Sequence, residues 1–387
     1  MSVKVTVVTT GRADYGLLRP LLVVLREDDR FQLDVLATGS HLVAEQGMTV
    51  DAIVADGFEV AHRIALPAEG DDRLATAHAT GEGIRLIADA LDVASPDIVV
   101  ILGDRFEAFA AASAATILDI PVAHIHGGEL TFGSLDDAFR HAITKLSTLH
   151  FASTEVYRKR IVQMGEPAIG VFNTGALAVD NVRGTELLDE DEFESVHGVV
   201  CDGSTLLVTF HPVTRGGESL GELYELLAAL DAVPEFRVLF TAPNLDAGGR
   251  AVRSAIESWV EANAARADLV TVLGWRGYLS ATKNCAAVVG NSSSGLIEVP
   301  ALGVPSIDIG HRQSGRLRPA AVVHAQADRD SIAAAIRHAT SPLHREVAAT
   351  ASNPYGDGHA AAKIADVLAD SALLARVQSA GFTDIDY

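Results

Sequence analysis

The sequence has little of what several classes of protein require. It contains two cysteines, Cys201 and Cys285, which lie far apart and without metal-type spacing, so neither a disulfide framework nor a zinc site is indicated. No segment approaches the roughly 20 apolar residues that cross a bilayer. The N-terminal "MSVKVTVVTTGRADYG" lacks a signal-peptide pattern and starts with a strand-like run. These absences favour a protein of the reducing cytoplasm.

The sequence is also poor in positive charge. Its 30 basic residues stand against 51 acidic residues, which gives a formal net charge of −21. That balance argues against general binding to nucleic acid or to an anionic membrane, and a solubilising acidic surface is its simplest explanation. If the substrate is itself an anion, isolated arginines in loops must overcome this field, so their positions are informative.

Two common catalytic signatures are missing. The loop "TTGRADYG" follows a strand but has no GxGxxG, and the second strand, "FQLDVLATGS", ends without the acid that would hold a ribose hydroxyl. An exchangeable NAD is therefore not expected. There is also no GxSxG nucleophile elbow. Arg12 and Asp14 of the first loop either pair with each other or contact a ligand.

The chain does have the length and the apolar content for two cores, with 387 residues of which 48% are hydrophobic. Short β-branched runs alternate with helical patterns from end to end, which is typical of stacked βαβ units and a parallel sheet. The runs of the first half are "VKVTVVTT", "FQLDVLATG", "DIVVILGD", "IPVAHIHGG" and "LHFAS". Those of the second half are "TLLVTFHP", "FRVLFTAPN", "LVTVLGW", "AAVVGNSS" and "VPSIDIG". The pattern predicts an α/β fold of two Rossmann-like, doubly wound domains.

An acidic stretch separates the two series of runs. "GTELLDEDEFESVHGVVCDG", residues 184–203, interrupts the alternation and suits an exposed helix and linker. We therefore expect an N-terminal domain over residues 1–182 and a C-terminal domain over residues 183–364. Residues 365–387 would form a C-terminal helix and tail. Ligands of doubly wound sheets bind beyond the carboxyl ends of the strands, so the loops there hold the candidate site residues.

One of these loops is crowded with groups that transfer protons: "HIHGGELTFGSLDDAFRHAITK", residues 124–145. His124 and His126 alternate along a strand, so both side chains should point to one face. With no third ligand at a recognisable spacing, a metal site is not indicated. The preceding strand ends in Asp104 and Arg105. Asp104 alone would suit a helix cap, but adjacent parallel strands bring its loop within reach of the histidines and of Glu129.

The helix in this stretch carries two acid and base pairs at a spacing of four residues, Asp136 with Arg140 and Asp137 with His141. Such pairs stabilise a helix by about 0.2–0.5 kcal/mol each. A helix N-terminus also favours negative charge, so Asp136 could be held ionised by Arg140 as a base.

Polar residues also follow the strands of the second half. They serve either to stabilise turns or to contact an anionic ligand, and they are His211, Arg215, Asn244, Asp246, Arg312 and Arg316. The stretch "VVGNSSSGLIEVPALG" is more specific, because Ser292, Ser293 and Gly295 lead from a strand into a helix. Small residues there expose backbone N–H groups that suit a phosphate or diphosphate, unless Ser is a plain cap. Glu298, one turn into the helix, could accept hydrogen bonds from a ribose.

Taken together, these stretches resemble the hydrolysing UDP-N-acetylglucosamine 2-epimerases of sialic acid and related sugar pathways. The matching stretches run in order from residue 11 to residue 358 and are "GRADYG", "GDRFEA", "HIHGGE", "DDAFRHAITKLS", "FHPVT", "PNLDAG", "GNSSSGLIEVPALGVPSIDIGHRQSGR" and "NPYGDG". The resemblance implies the GT-B architecture with a ligand cleft between two domains. It also implies a UDP-sugar substrate, no redox cofactor or metal, and a homodimer or homotetramer.

The family's reaction, if it applies, explains the crowded loop. A base removes the proton at C2 of the sugar, UDP leaves from C1 by anti elimination to give a 2-acetamidoglucal, and water then adds to yield N-acetylmannosamine. By resemblance, Asp104 and Asp136 match two catalytic acids, with Asp136 favoured as the C2 base and Asp104 serving the hydration. Arg140 and His211 match partners near the diphosphate. The matched substrate and UDP contacts are Arg12, Asp14, Arg105, Arg215, Asn244, Asp246, Ser292, Ser293, Gly295, Glu298, Arg312 and Arg316.

The chain departs from the family pattern just before the Gly-Gly pair. Where characterised sialic acid pathway members have Glu, it has His126, while it keeps Glu129 after the glycines. Either His126 takes the acid/base role, or Glu129 does, or the substrate differs at the group that this residue meets. Between Glu129 and the Asp136–Asp137 pair the chain also has one residue more than the family pattern, where Phe132 lies. We expect this extra residue to reshape the sugar site.

Four alternatives stay open. A non-hydrolysing 2-epimerase would return UDP to the glucal and give UDP-N-acetylmannosamine. A hydrolysing epimerase could instead act on a 6-deoxy-diacetamido sugar linked to UDP or GDP. The fold would also permit a glycosyltransferase, which should not need several carboxylates around C2, or a sensor that binds UDP and leaves the sugar unchanged.

Overall fold

The computed structural model describes residues 2–44, 47–67, 73–131, 135–211, 219–241, 249–271 and 273–384. They form two compact units, one of residues 1–181 with 354–387 and one of residues 182–353. Each unit is built around a sheet in which every pair of neighbouring strands is parallel.

Unit 1 has a seven-stranded sheet in the order β3-β2-β1-β4-β5-β6-β7. Its strands are β1 Val3–Thr9, β2 Phe31–Thr38, β3 Val60–Ile64, β4 Ile98–Leu102, β5 Val122–Ile125, β6 Leu149–Ala152 and β7 Val171–Asn173. Unit 2 has a six-stranded sheet in the order β10-β9-β8-β11-β12-β13. Its strands are β8 Thr205–Thr209, β9 Arg237–Thr241, β10 Ala267–Val270, β11 Ala287–Gly290, β12 Ser306–Ile309 and β13 Val322–Ala325.

Helices follow nearly every strand, as the βαβ pattern requires. Those of the first half are α1 Arg12–Glu27, α2 Val50–Ala55, α3 Arg73–Ala94, α4 Phe106–Ile117, α5 Leu135–Leu146, α6 Glu155–Gln163 and α7 Leu177–Gly184. The later ones are α8 Glu190–His197, α9 Ser219–Asp231, α10 Gly249–Ala262, α11 Gly274–Asn284, α12 Ser294–Ala301, α13 Arg329–Ala339, α14 Pro342–Thr350, α15 Ala360–Leu368 and α16 Ser371–Gln378. Within the described ranges, no helix combines the length and apolarity that a membrane crossing needs.

The central strand β4 is apolar at every position because both faces of the sheet are covered. In β4, Ile98 and Val100 pack into the core that contains α1, whereas Val99 and Ile101 pack into the core on the opposite face, with α3 and α4. Alternation along the strand thus sends successive side chains to two different cores. This is why "DIVVILGD" has no polar interruption until the strand ends.

Both strand orders place a topological switch point beside the first strand of the unit. In unit 1, β1 lies between β2 and β4, and in unit 2, β8 lies between β9 and β11. The loops that follow the two strands on either side of such a point run to opposite faces of the sheet. They leave an opening at the carboxyl edge where ligands of this fold class bind.

The sequence pattern missed three strands, and all three lie at sheet edges. β3, β7 and β13 form the outer strands at three of the four edges. They are short, and part of each is exposed; β3, for example, alternates between exposed and more buried positions. An edge strand pairs with only one neighbouring strand and is less buried. It therefore lacks the continuous apolar run that identified the central strands.

The C-terminal boundary differs from the expected one. The sequence assigned residues up to 364 to the second domain, but residues 354–387 belong to unit 1. The reason is the apolar face of α15, where Ala361, Ile364 and Leu368 are buried in the same core as Leu18 and Leu22 of α1. The first boundary, between residues 181 and 182, lies one residue from the expected position.

The acidic stretch 184–203 is not simply a linker. It contains α8, whose capping box joins Asp189 and Glu192. The helix is largely exposed as expected, but Phe193 is fully buried in a cluster with Leu188 and Cys201. This one aromatic side chain fixes the helix to unit 2.

The packing of α15 generates a test of the unit assignment. Ile364→Ala should remove about 2–5 kcal/mol from the stability of unit 1, because a fully buried isoleucine leaves a cavity. Hydrogen exchange should therefore accelerate in α1 and leave unit 2 unchanged. Ile256→Ala, which truncates a fully buried isoleucine of unit 2, is the matched control and should give the reverse pattern. Faster exchange in unit 2 with Ile364→Ala would contradict the assignment.

Candidate active site

The first loop of unit 1 is held by Asp14. Its carboxylate accepts hydrogen bonds from the backbone N–H groups of Thr10 at 2.6 Å and Gly11 at 2.7 Å, and from the Thr10 hydroxyl at 3.1 Å. Asp14 therefore folds the turn from β1 into α1. Arg12 is exposed, and within the described ranges it forms no ion pair with Asp14. The expected alternative of mutual pairing is wrong, and ligand contact by either residue stays a prediction.

Arg105 lies on the other side of the switch point, in the loop between β4 and α4. Its guanidinium binds both carboxylate oxygens of Glu107, each at 3.1 Å, and Glu107 is 2% exposed. Burial opposes the charge on Arg105. The carboxylates of Glu107, Asp14 and Asp136 outweigh it, so the pKa of Arg105 is raised. Loops from two strands and a helix thus bring their charges to one place.

Asp104 does not cap α4, whose N-cap is Arg105. It forms an ion pair with Arg140 of α5, and the Arg140 side chain is 5% exposed. Arg140 also donates to the Thr131 hydroxyl at 3.1 Å. An arginine so deeply buried requires a carboxylate partner, and Asp104 supplies it. Arg140 is thus paired with a residue that lies 36 positions away in the sequence.

The expected pairing of Asp136 with Arg140 is therefore wrong as a side-chain ion pair. Asp136 lies in the first turn of α5 and is partly buried. Its negative charge acts on Arg105, as the raised pKa of that guanidinium indicates. The second expected pair is present, since His141 Nε2 lies 3.7 Å from Asp137 Oδ2. Asp137 additionally accepts the backbone N–H of Thr131 at 2.6 Å.

His124 is a buried structural histidine. Its Nε2 lies 2.8 Å from the carbonyl oxygen of Gly103, so this nitrogen carries the proton and donates. Its Nδ1 lies 3.3 Å from the Thr144 hydroxyl. Burial, with no exposed surface at all, lowers the pKa of His124 to about 3. The imidazole is neutral near pH 7 and links the ends of β4 and β5.

His126 differs from His124. β5 ends at Ile125, and His126 has a φ of 67°, so the strand alternation that should have placed both histidines on one face does not apply to it. Such a conformation in a residue other than glycine costs on the order of 1–3 kcal/mol. His126 is 8% exposed, and its Nδ1 lies 3.2 Å from Glu129 Oε1. The structure thus brings these two candidates into contact.

The glycine pair between them is required by close packing. Gly128 has a φ of 75°, and a Cβ there would lie 2.5 Å from the backbone oxygen of Tyr157 in α6. Its own carbonyl accepts a hydrogen bond from Arg160 of the same helix. The loop therefore lies directly against α6, and this contact holds the backbone on which His126 and Glu129 are mounted.

In unit 2, the switch point is formed by β8 and β11. Gly290 has a φ of 152°, and a Cβ there would lie 1.9 Å from the backbone oxygen of Thr209. The next residue, Asn291, clamps the backbone of His211: its Oδ1 accepts the His211 N–H at 2.8 Å and its Nδ2 donates to the His211 carbonyl at 2.9 Å. This places His211 beside the serine loop, because β8 and β11 are neighbouring strands.

The serine loop leads into α12. Ser293 is the N-cap, but its side chain makes no capping hydrogen bond. In the part of unit 2 that the structure describes, no acceptor contacts the backbone N–H groups of Ser292 and Ser293. Gly295 and Glu298 follow in the helix, and Glu298 is 8% exposed. Unpaired N–H groups at a helix N-terminus suit an anion.

The loop after β12 is attached to the same point. Arg312 Nη1 and Gln313 Nε2 donate to the backbone oxygen of Asn291 at 3.0 and 2.9 Å. The Arg316 N–H donates to the carbonyl of Gln313 at 3.1 Å, which closes a turn. Farther along, Arg318 Nε lies 2.7 Å from Asp308 Oδ2. Both ends of the arginine-bearing loop are thus fixed to the sheet.

Four residues that the sequence analysis singled out lie outside the described residues: Arg215, Asn244, Asp246 and Phe132. Among the described residues, no group of three or more His, Cys, Asp or Glu side chains is arranged to hold a metal ion.

Sequence reasoning missed four residues that organise these loops: Glu107, Ser153, Asn291 and Gln313. All four lie inside stretches that the sequence analysis quotes for other reasons. Each of them forms a hydrogen bond or an ion pair that holds a neighbouring residue in place. A role of this kind produces no recognisable spacing of residues in the sequence. The available clue was a polar residue at the end of a buried strand, where it must find a partner.

The state of His124 predicts how stability depends on pH. An unfolded His124 binds a proton near pH 6.5, whereas the folded one does so near pH 3. Between these values the unfolded chain binds more protons, so the free energy of unfolding falls as the pH falls, by at most about 1.4 kcal/mol per pH unit. His124→Gln should flatten this slope in urea titrations at pH 7, 6 and 5. His62→Gln, on edge strand β3, should leave the slope unchanged. An equal slope in both variants would contradict the neutral state of His124.

The similarity of this chain to known proteins covers most of its length, well beyond these loops. A family model described as UDP-N-acetylglucosamine 2-epimerase matches residues 24–369. The GDP/UDP-N,N'-diacetylbacillosamine 2-epimerase (hydrolyzing) of Campylobacter jejuni is 36% identical over 84% of this chain and 84% of its own. Polysialic acid biosynthesis protein P7 of Escherichia coli is 35% identical over 91% and 90%. The UDP-N,N'-diacetylbacillosamine 2-epimerase (hydrolyzing) of Legionella pneumophila is 32% identical over 92% of each chain.

Solved structures share the fold. The UDP-GlcNAc 2-epimerase of Neisseria meningitidis, bound to UDP-GlcNAc, is similar with a TM-score of 0.80 at 20% identity, over 95% of this chain and 99% of that chain. The UDP-GlcNAc 2-epimerase of Methanocaldococcus jannaschii gives 0.73 at 16% identity, over 95% and 99%. These likenesses confirm the predicted class of two parallel-sheet, Rossmann-like domains of the GT-B type. The extent of the family match and the identity to the relatives show that this chain belongs to the UDP-N-acetylglucosamine 2-epimerase family.

Proposed function

We propose that the chain is a hydrolysing 2-epimerase, which converts a UDP-linked 2-acetamido sugar and water to UDP and the free sugar inverted at C2. The first candidate substrate is UDP-N-acetylglucosamine, which would give N-acetylmannosamine. The observation that supports this most is the set of carboxylates at the carboxyl edge of the unit 1 sheet. Among the carboxylates described there, Asp104 faces Arg140, Glu107 faces Arg105 and Glu129 faces His126, an arrangement that suits acid/base chemistry.

Asp136 is proposed as the base that removes the C2 proton. It is partly buried in the first turn of α5, where its charge interacts with that of Arg105. The C2–H electrons form the C1=C2 bond as the C1–O bond to UDP breaks. Asp104, kept ionised by Arg140, is proposed to accept a proton from the water that adds to C1.

Unit 2 supplies the groups proposed to bind UDP. The unpaired N–H groups of Ser292 and Ser293 and the dipole of α12 suit the diphosphate. Glu298 is assigned to the ribose hydroxyls, and Arg312 and His211 to the diphosphate. Every step is a proton transfer or the cleavage or formation of a C–O bond, so the proposal uses no metal or redox cofactor.

The names of the relatives favour hydrolysis. Two relatives that are 36% and 32% identical bear names that include the word hydrolyzing. Relatives whose names give UDP-N-acetylglucosamine 2-epimerase without that word are 30% identical in Neisseria meningitidis, 25% in Ralstonia nicotianae, where the name adds "probable", and 24% in Salmonella typhimurium. The same two names favour a second candidate substrate, UDP-N,N'-diacetylbacillosamine. It differs from UDP-N-acetylglucosamine in bearing an acetamido group at C4 and no hydroxyl at C6. The two sugars are alike at C1 and C2, so the same deprotonation and elimination apply to both.

Proton NMR in D2O with each UDP-sugar tests the proposal. We expect the free epimerised sugar, deuterated at C2, together with UDP. Asp136→Asn should lower C2 exchange by about 10²-fold or more, since an amide cannot act as the base. It should leave the dissociation constant for UDP, measured by calorimetry, within about threefold.

The products that form distinguish the proposed reaction from its alternatives. Formation of a UDP-linked C2 epimer would replace hydrolysis by the non-hydrolysing reaction. Conversion of the diacetamido substrate alone would select the second candidate. Full C2 exchange in the Asp136→Asn variant would remove Asp136 from the role of base, and binding of UDP without any turnover would favour a sensor.

The Asn291 clamp generates a prediction for UDP binding. Asn291→Ala removes two hydrogen bonds to the His211 backbone, at 2.8 and 2.9 Å. Losing them should weaken UDP binding by about 10-fold or more, at roughly 1 kcal/mol per hydrogen bond. Asn263→Ala, which loses an amide hydrogen bond to a helix carbonyl elsewhere in unit 2, is the control and should bind UDP normally. Equal affinities in the two variants would mean that the clamp does not organise a UDP site.

A further inference from the structure

Three buried side chains form a chain of contacts behind the Gly-Gly loop of unit 1. The Ser153 hydroxyl donates to Glu129 Oε1 at 2.8 Å, and the same oxygen lies 3.2 Å from His126 Nδ1. Ser153 is 0%, Glu129 3% and His126 8% exposed. Ser153 follows β6 and the other two follow β5, so neighbouring parallel strands bring them together. Sequence reasoning named two of these residues and gave no role to the third.

His126 carries two unfavourable features at once. Its φ of 67° is a conformation that side-chain-bearing residues rarely adopt. Its Nε2 is buried, and within the described ranges it has no hydrogen-bond partner. Neither feature contributes to packing. Strained and unsatisfied groups that persist in a well-packed loop are characteristic of functional positions, where a ligand completes the contact.

The contact with Glu129 determines which nitrogen of His126 can react. Glu129 Oε1 lies 3.2 Å from Nδ1, and a negative oxygen at that distance favours the tautomer with the proton on Nδ1. Nε2 is then the nitrogen that exchanges a proton with a ligand. Glu129 Oε1 is already engaged by two side chains. His126 is therefore better suited than Glu129 to the second proton transfer.

We propose that His126 Nε2 delivers the proton to C2 of the glucal in the hydration step, with Glu129 and Ser153 as positioning residues. This inference rests on the proposed function. In this step the Nε2–H bond breaks and the C1=C2 electrons form the new C2–H bond. Water oxygen bonds to C1 and releases its proton to Asp104. The step consumes one protonated imidazole and one carboxylate, and solvent restores both.

His126→Asn is the most informative variant. Asparagine tolerates the left-handed conformation, and its side-chain amide retains a donor toward Glu129. It lacks a group at the place of Nε2. With the base intact, we expect UDP release within about threefold of the unaltered chain, while hydration slows by about 10²- to 10⁴-fold. The 2-acetamidoglucal should therefore accumulate and be visible by proton NMR.

Ser153→Ala tests the positioning role. The loss of one hydrogen bond to Glu129 should raise the fraction of glucal released by about threefold to tenfold, with KM unchanged. Ser147→Ala is the matched control, because Ser147 is a buried serine of unit 1 whose hydroxyl donates to a helix carbonyl, that of Ile143, at 2.7 Å. It should not change the glucal fraction, even if it lowers Tm.

The outcomes separate this inference from the proposed function. Normal hydration in a folded His126→Asn variant would overturn the inference alone. Loss of UDP release in that variant would also overturn it, because His126 would then act before elimination. If His126→Asn does not fold, Glu129→Gln decides: accumulation of glucal supports the inference, and its absence overturns it. No UDP release from either UDP-sugar by the unaltered chain would remove the proposed function and the inference together.

Discussion

Strands that are buried on both faces carry few polar groups along their length, and each polar group at their ends needs a partner close by. This constraint explains the contacts at the carboxyl edges of both sheets. Asp104 at the end of β4 meets Arg140 of α5. Asn291 at the end of β11 is paired through its side chain with His211 and through its carbonyl oxygen with Arg312. The partners come from neighbouring loops, so satisfying one polar group also positions the next.

The same constraint limits which groups are available for chemistry. Asp14 is fully occupied in folding the first turn, and His124 is neutral and hydrogen-bonded. Both look like site residues in the sequence, yet the contacts that each makes are structural. His126 is the opposite case, since its backbone is strained and its Nε2 is unsatisfied. Residues of the same type, two positions apart, thus differ in role because one lies within the strand and the other just beyond its end.

The sequence was informative where a regular pattern extends over many residues. The central strands, the helices between them and the class of fold follow from apolar runs and their alternation. The edge strands β3, β7 and β13 could not be found this way, because a strand covered on one side needs no continuous apolar run. The motifs pointed to loops that lie at the carboxyl edges of the sheets. They could not reveal that Arg140 pairs with Asp104, because that contact joins a loop and a helix 36 positions apart.

The acidic composition shapes how an anionic substrate can be held. In unit 1 the guanidinium groups of Arg105 and Arg140 each face a carboxylate, so they add little net positive charge there. In unit 2 the serine loop offers backbone N–H groups, whose dipoles suit an anion and carry no formal charge that acidic neighbours could neutralise. A chain with a net charge of −21 therefore offers an anion backbone dipoles in unit 2 rather than an excess of positive side chains.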